Sequence, residues 1–302
     1  MKITIATRRS PLALWQANHV AALLRQHESV DAVELLELVT KGDRILDQSL
    51  SKIGGKGLFI KELEHAMLEG KADIAVHSMK DVPAQLPTGF ALPTVLQRED
   101  PRDALVGLSL AGLPDGARVG TSSLRRQAQL LALRPDLKIA PVRGNVGTRL
   151  SKLESGEFDA IMLATAGLNR LELQARIAES IDPALMLPAA GQGIVGIECK
   201  ADQPELLKVL NVLDNSISRQ CVEAERAISQ GLGADCHAPV AAFAEVSDNE
   251  LHLRARVASA DGQIRLHVEG RTSVGNRVAL ASELIAELRE LGARELIDAS
   301  AQ

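Results

Sequence analysis

Short β-rich runs alternate with stretches of helical period from residue 2 to about residue 170, and this alternation limits the possible folds more than any other feature. KITIAT (2–7) has strand composition. Ser10-Pro11 follows as an N-cap with proline at the first helical position. Leu12, Trp15, Val20, Leu23 and Leu24 then share one helical face to about residue 27. VELLELVT (33–40) predicts a strand, LFIKELEHAMLEG a helix with a glycine stop, and DIAVHS (73–78) an apolar strand ending in a polar turn. A second series begins after the charged stretch QREDPRDA (97–104). RVGT leads into a helix at 122–133, LKIAPV into a helix near 145–155, and FDAIMLA into the short helix TAGLNRL. Such alternation predicts α/β lobes with parallel sheets and right-handed crossovers.

Two segments depart from the pattern. KGDRILDQSLSKIGGKG (41–57) is polar and glycine-rich, and a loop this long within a compact domain is usually functional or disordered. Beyond residue 215 a helix (215–231) precedes three strands, VAAFAEV, ELHLRARVAS and QIRLHVEGR, with turn signals SDN and ADG between them. A helix from about 276 ends at Gly292. This predicts a smaller α+β domain with an antiparallel sheet.

Composition narrows the function classes. A hydrophobic share of 46% and a charged share of 24% describe an ordinary globular protein. No apolar run is long enough for a membrane span. The N-terminus MKITIATRRSPLALW reads as a first strand and lacks the apolar core of a signal peptide, which favours the cytoplasm. A net charge of −5, one Trp, four Phe and no Tyr argue against a nucleic-acid partner. Cys199, Cys221 and Cys236 form no CxxC, and the seven His show no HExxH, so neither a disulfide framework nor a metal site is expected.

Against the acidic whole, residues 118–149 hold six Arg and one Lys with a single acid, Asp136. Arg125 and Arg126 follow a Gly-Thr-Ser-Ser turn, and Arg143 and Arg149 flank Gly-Asn-Val-Gly. Arginine binds carboxylate or phosphate as a fork. Both turns sit at predicted helix starts, where backbone N–H groups also favour anions. A solvated basic face is the alternative. Ligands in such sheets bind beyond the carboxyl ends of strands. Arg8, Lys80, Asp81, Thr121–Arg126 and Arg143–Arg149 all follow predicted strands, so one site for a strongly anionic ligand is expected. In HSMKDVP (77–83), Lys80 and Asp81 are either a surface loop or a carboxylate kept ionised among cations. Such a carboxylate can stabilise a developing cation or pass a proton. Cys199 and Cys221 read as apolar core residues. Cys236, in GLGADCHAPV, is the exposed candidate for a covalent role, which needs a thiolate.

IATRRSPLALWQA, GGKGLFIKELE, DIAVHSMKDVP, EDPRDA, VGTSSLRRQ, RGNVGTRL, LPAAGQG and the Cys236 loop together resemble the porphobilinogen deaminase (hydroxymethylbilane synthase) family. The match runs in order from residue 3 to about 245 and is looser beyond. The resemblance implies two α/β lobes like those of periplasmic binding proteins plus a smaller α+β domain. The divisions would be 1–96 with 194–214, 97–193, and 215–302, the chain returning to the first lobe near IVGIECK. It implies a transferase that joins four porphobilinogen molecules head to tail with loss of ammonia. A dipyrromethane cofactor, held by a thioether to the cysteine matching Cys236, would prime the chain. Each pyrrole carries an acetate and a propionate. Arg8, Arg125, Arg126, Arg143, Arg149 and Arg170 match the positions that grip them. Lys80, Thr121 and Ser123 match supporting contacts, and Ser10, Gln16 and Ser78 join the binding set. Asp81 matches the catalytic carboxylate. Residues 41–57 match a mobile segment, a monomer is implied, and His237 takes no role. The other class is a non-catalytic two-lobed binder of a small polyanion, which needs the arginines but not Asp81 and Cys236 together.

Overall fold

The computed structural model describes residues 1–40, 60–83, 85–234 and 238–300. The loop expected at 41–57 and Cys236 lie outside them. The described strands are, in chain order, β1 (Lys2–Arg8), β2 (Ala32–Leu38), β3 (Ile74–Ser78), β4 (Phe90–Val95), β5 (Asp103–Gly107), β6 (Arg118–Gly120) and β7 (Lys138–Ala140). They continue with β8 (Ala160–Ala164), β9 (Ile177–Ser180), β10 (Val195–Lys200), β11 (Val240–Ser247), β12 (Glu250–Ala258) and β13 (Arg265–Ser273). The chain divides into two compact units, Met1–Glu99 with Ile194–Arg219, and Asp100–Gly193 with Gln220–Gln302.

The first unit is built on a sheet of order β2-β1-β3-β10-β4. β1 pairs in parallel with β2 and β3, and β10 runs antiparallel to β3 and β4. Alternation along β1 buries both faces. Ile3 and Ile5 pack with Ala17, Val20, Ala21 and Leu24 of the helix Pro11–Leu24, whereas Ala6 packs with Leu63 and Met67 of the helix Lys61–Leu68. Each of these large side chains contributes about 1.5–3 kcal/mol through burial. The helix starts where its cap predicts: Ser10 Oγ accepts from Ala13 N at 3.3 Å, and Pro11 fills the first turn.

The second unit repeats the arrangement in the order β7-β6-β8-β5-β9, with β6 parallel to β7 and β8, and β5 antiparallel to β8 and β9. In each sheet the antiparallel strand comes from a crossing segment, β10 after the chain returns and β5 where it enters. The C-terminal residues form a third sheet, β11-β12-β13, wholly antiparallel. Leu251, Leu253, Ala255 and Val257 alternate inward along β12 to meet Leu280, Leu284 and Leu288 of the helix Arg277–Glu290. Its first hairpin turns at Asp248 and Asn249, both with positive φ (50° and 63°), as a right-twisted two-residue turn requires. The α/β lobes and the α+β part are therefore as expected. Sequence reasoning did not mark β4, β5, β9 or the helices Pro204–Asn211 and Ala293–Ser300. No helix among the described residues is long and apolar enough to cross a membrane.

Candidate functional site

The parallel pairing of β1 with β3 brings their carboxyl ends together. Arg8 is the last residue of β1 and Ser78 the last of β3. Gln16, buried on the helix Pro11–Leu24, donates from Nε2 to Ser78 Oγ at 2.9 Å and so ties that helix to the strand end. The backbone then makes the single 3₁₀ turn Met79–Asp81. β10 and the residue before it hold this turn: Met79 N donates to Ile194 O at 2.9 Å, and a Cβ at Gly196 would collide with Met79 Sδ. Lys80 is half-buried, and Asp81 is exposed with no polar partner among the described residues. Beneath the turn, His77 Nε2 meets Glu198 Oε2 at 2.8 Å, both side chains buried. Burial first, and the Glu198 carboxylate second, raise the nearby Glu64 carboxyl above its ordinary range, against the opposing pull of His77 and Lys61.

In the second unit the same sheet edge carries a different set. Thr121 follows β6, is buried, and accepts from Ser123 N at 3.2 Å through Oγ1. Ser123 stands at the N-cap of the helix Leu124–Leu133 without a side-chain capping bond. Arg143 follows β7 and is half-buried, and its Nη1 is a buried donor with no acceptor among the described residues. Gly144 turns the chain at φ +109°, where an added Cβ would strike the Thr148 side chain. Asn145 caps the helix Val146–Glu154 by accepting from Thr148 N at 2.9 Å, and Arg149 Nε donates to Gly144 O at 2.8 Å. Arg170 ends the helix Thr165–Arg170, buried, with Nη2 donating to Gly193 O at 2.6 Å.

Arg125 and Arg126 are brought together, but not as a solvated pair. Both are buried and both donate to Asp103 at the start of β5. Burial alone would raise the Asp103 carboxyl. The charges of Arg125 and Arg126, with hydrogen bonds from Arg125 and Gln192, outweigh it and hold the group well below the usual carboxylate range. Sequence reasoning missed Asp103, Gln192, His77 and Glu198. For Glu198, a lone acid within the apolar run IVGIEC was the available signal, because such an acid must be paired once buried. A cavity of about 290 Å³ lined by Met1, Lys2, Ile3, Asp73 and Gln203–Leu206 contains none of the expected site residues.

The residues present fit an acid-rich pyrrole ligand. Arginine forks, a lysine and hydroxyls are donors for carboxylates, and the buried Arg143 Nη1, with no acceptor among the described residues, could take one from such a group. Of the three cysteines, Cys199 and Cys221 are buried and not disulfide-bonded. Burial, then Glu198, push the Cys199 thiol up to about 11, which keeps it protonated and unreactive.

Fold and side chains thus define an α/β protein of two like-ordered mixed sheets with a smaller α+β part, basic and hydroxyl-bearing at the carboxyl ends of its parallel strands. Two family models match: "Porphobilinogen deaminase, dipyromethane cofactor binding domain" over residues 3–208, and "Porphobilinogen deaminase, C-terminal domain" over residues 219–290. The porphobilinogen deaminase of Xanthomonas euvesicatoria pv. vesicatoria is 53% identical over 298 residues, covering 98% of each chain. That of Xanthomonas axonopodis pv. citri is 52% identical over the same length, again covering 98% of each. The chain belongs to the porphobilinogen deaminase family. Among solved structures, a double mutant of the VFT2 domain of Bordetella pertussis BvgS is similar at TM-score 0.44 and 18% identity, over 70% of this chain and 85% of that one.

Proposed function

We propose that this chain is a transferase that joins four porphobilinogen molecules head to tail, releasing ammonia, to give linear hydroxymethylbilane for tetrapyrrole and heme synthesis. Membership of a family whose curated relatives are named as deaminases favours the enzyme over the bare polyanion binder. The observation in the fold that carries the reading is Arg143: a buried guanidinium N–H with no acceptor among the described residues is costly unless a ligand carboxylate completes it. We further read the chain as a cytoplasmic monomer of three domains, 1–96 with 194–214, 97–193, and 215–302.

Arg125, Arg126, Arg143, Arg149 and Arg170 would hold the acetate and propionate groups of a dipyrromethane and of the rings added to it, with Arg8 and Lys80 as further cations. Thr121, Ser123, Ser10 and Ser78 add hydroxyl contacts, and Gln16 fixes Ser78. The dipyrromethane, attached through a thioether to Cys236, supplies when bound the pyrrole carbon to which the next ring is joined. Asp81 acts on the incoming porphobilinogen. Loss of ammonia leaves an azafulvene cation, and an ionised carboxylate beside the pyrrole nitrogen stabilises that cation and can accept the N–H proton. The burial of Cys199 and Cys221 speaks against attachment at either.

The test uses the full chain. Intact mass spectrometry is expected to find an adduct of two pyrrole units on the peptide containing Cys236, and porphobilinogen is expected to be consumed with release of ammonia. Cys199→Ser and Cys221→Ser should leave the adduct in place. A fully active protein of unmodified mass would overturn the cofactor assignment, and a protein that binds porphobilinogen without releasing ammonia would restore the binder.

A further inference from the structure

Two stretches that carry the family resemblance, EDPRDA and LPAAGQG, have no part in the reaction as described, yet they meet at one carboxylate. Asp103 is completely buried at the start of β5. Its Oδ2 accepts from Arg125 Nη1 at 2.6 Å, and its Oδ1 accepts from Arg125 Nη2 at 3.1 Å and Arg126 Nε at 2.9 Å. Gln192, also buried, donates from Nε2 to Asp103 Oδ1 at 3.0 Å and to Pro101 O at 2.7 Å. The turn into β5 is closed by Asp100, whose Oδ1 accepts from Arg102 N at 2.9 Å.

Consecutive residues on a helix point about 100° apart. Two cations in a first turn also face the positive end of the helix dipole. Backbone carbonyls hold each one separately, Arg125 Nη1 donating to Leu187 O at 2.6 Å and Arg126 Nη1 to Met162 O at 3.1 Å, and Asp103 is the acceptor the two share. A buried ion pair is a weak source of net stability, because desolvation offsets much of the attraction. The arrangement is better explained by what it does to the arginines.

We propose that Asp103 and Gln192 are positioning residues for the Arg125–Arg126 pair, holding both forks convergent and cutting their joint charge to a single unit, so that the pair accepts one carboxylate of a pyrrole ligand. This rests on the deaminase reading of the site. Gln192 supports the device by donating to the Asp103 oxygen that both arginines share, and it anchors that carboxylate to the backbone at Pro101.

The experiment compares the full chain with Asp103→Asn, Asp103→Glu and Gln192→Met. Three readouts are taken on the folded fraction: adduct mass, KM and kcat for porphobilinogen, and labelling of the Arg125–Arg126 peptide by phenylglyoxal. Asp103→Asn should raise KM on the order of 10- to 100-fold, lower adduct occupancy, and speed labelling of both arginines. Asp103→Glu should recover part of the loss, and Gln192→Met should move every readout the same way by less. If Asp103→Asn does not fold, Gln192→Met decides. Folded variants with a lower thermal midpoint but wild-type KM, occupancy and labelling would make Asp103 a scaffold residue and overturn the inference. If the wild-type chain itself neither carries adduct nor turns over porphobilinogen, the reading of function fails, and the labelling arm alone judges Asp103.

Discussion

Asp81 and Arg143 show how differently two charged residues can be prepared for a ligand. Asp81 is exposed on a single turn, so changing it disturbs no packing. Asp81→Asn keeps the size and removes the charge, and turnover should fall by about 10²–10⁴-fold with the circular dichroism unchanged. Asp81→Glu keeps the charge one methylene away and should retain a reduced rate. Near-wild-type elongation by the Asn variant in a single-turnover assay would return Asp81 to the role of a surface carboxylate. Arg143 is the opposite case, since its buried Nη1 has no acceptor among the described residues. Arg143→Met removes that donor, so the unloaded protein should gain up to about 1 kcal/mol of stability while porphobilinogen turnover drops. A thermal midpoint below wild type would contradict this. These residues were legible because charge beside a turn and after a strand is a local pattern. Asp103 was not. Next to Arg102 in QREDPRDA it reads as part of a solvated charge run, and only its pairing across the sheet edge with Arg125 and Arg126 removes it from water.

At the scale of elements, local chemistry placed boundaries well wherever a cap or stop was written into the chain. Ser10-Pro11 begins one helix, and Gly292 at φ +92° follows another. β4 escaped notice because Pro93 interrupts it, and a proline normally argues against a strand. It is tolerated because β4 lies at the edge of its sheet. The helix Lys61–Leu68 offers a pH test. Glu64 on this helix is buried beside the His77–Glu198 pair, and its carboxyl is raised. A carboxyl raised on folding contributes stability that is present below its unfolded value of about 4.3 and is lost as pH rises through the folded value. Glu64→Gln should therefore raise the thermal midpoint at pH 8 and lose that advantage on approach to pH 4. An equal effect at both pH values would exclude titration of Glu64 as its source.

For the whole molecule, alternation predicted the lobes but not the strand order. In each sheet the antiparallel strand pairs with strands distant in sequence, β10 with β3 and β4 and β5 with β8 and β9, and period-2 patterning carries no information about strand direction. The C-terminal sheet adds a contact that pattern reading does not supply. Gly262, at φ +73° in the β12–β13 turn, lies so close to the helix Leu124–Leu133 that an added Cβ would stand 2.5 Å from Ala128 O and 2.6 Å from Ala132 N. Beside it, Gln127 Nε2 donates to Ala260 O at 3.1 Å. Gly262→Ala meets backbone on one side and a left-handed conformation on the other, so it should cost about 1–3 kcal/mol, read as a lower denaturant midpoint. An unchanged midpoint would mean that the turn relaxes freely away from the helix. Because the helix that bears Arg125 and Arg126 is backed by this turn, it should not open on its own. Amide protons of residues 127–133 should exchange with the same protection free energy as those of β12 and β13, as one cooperative unit of native-state fluctuation.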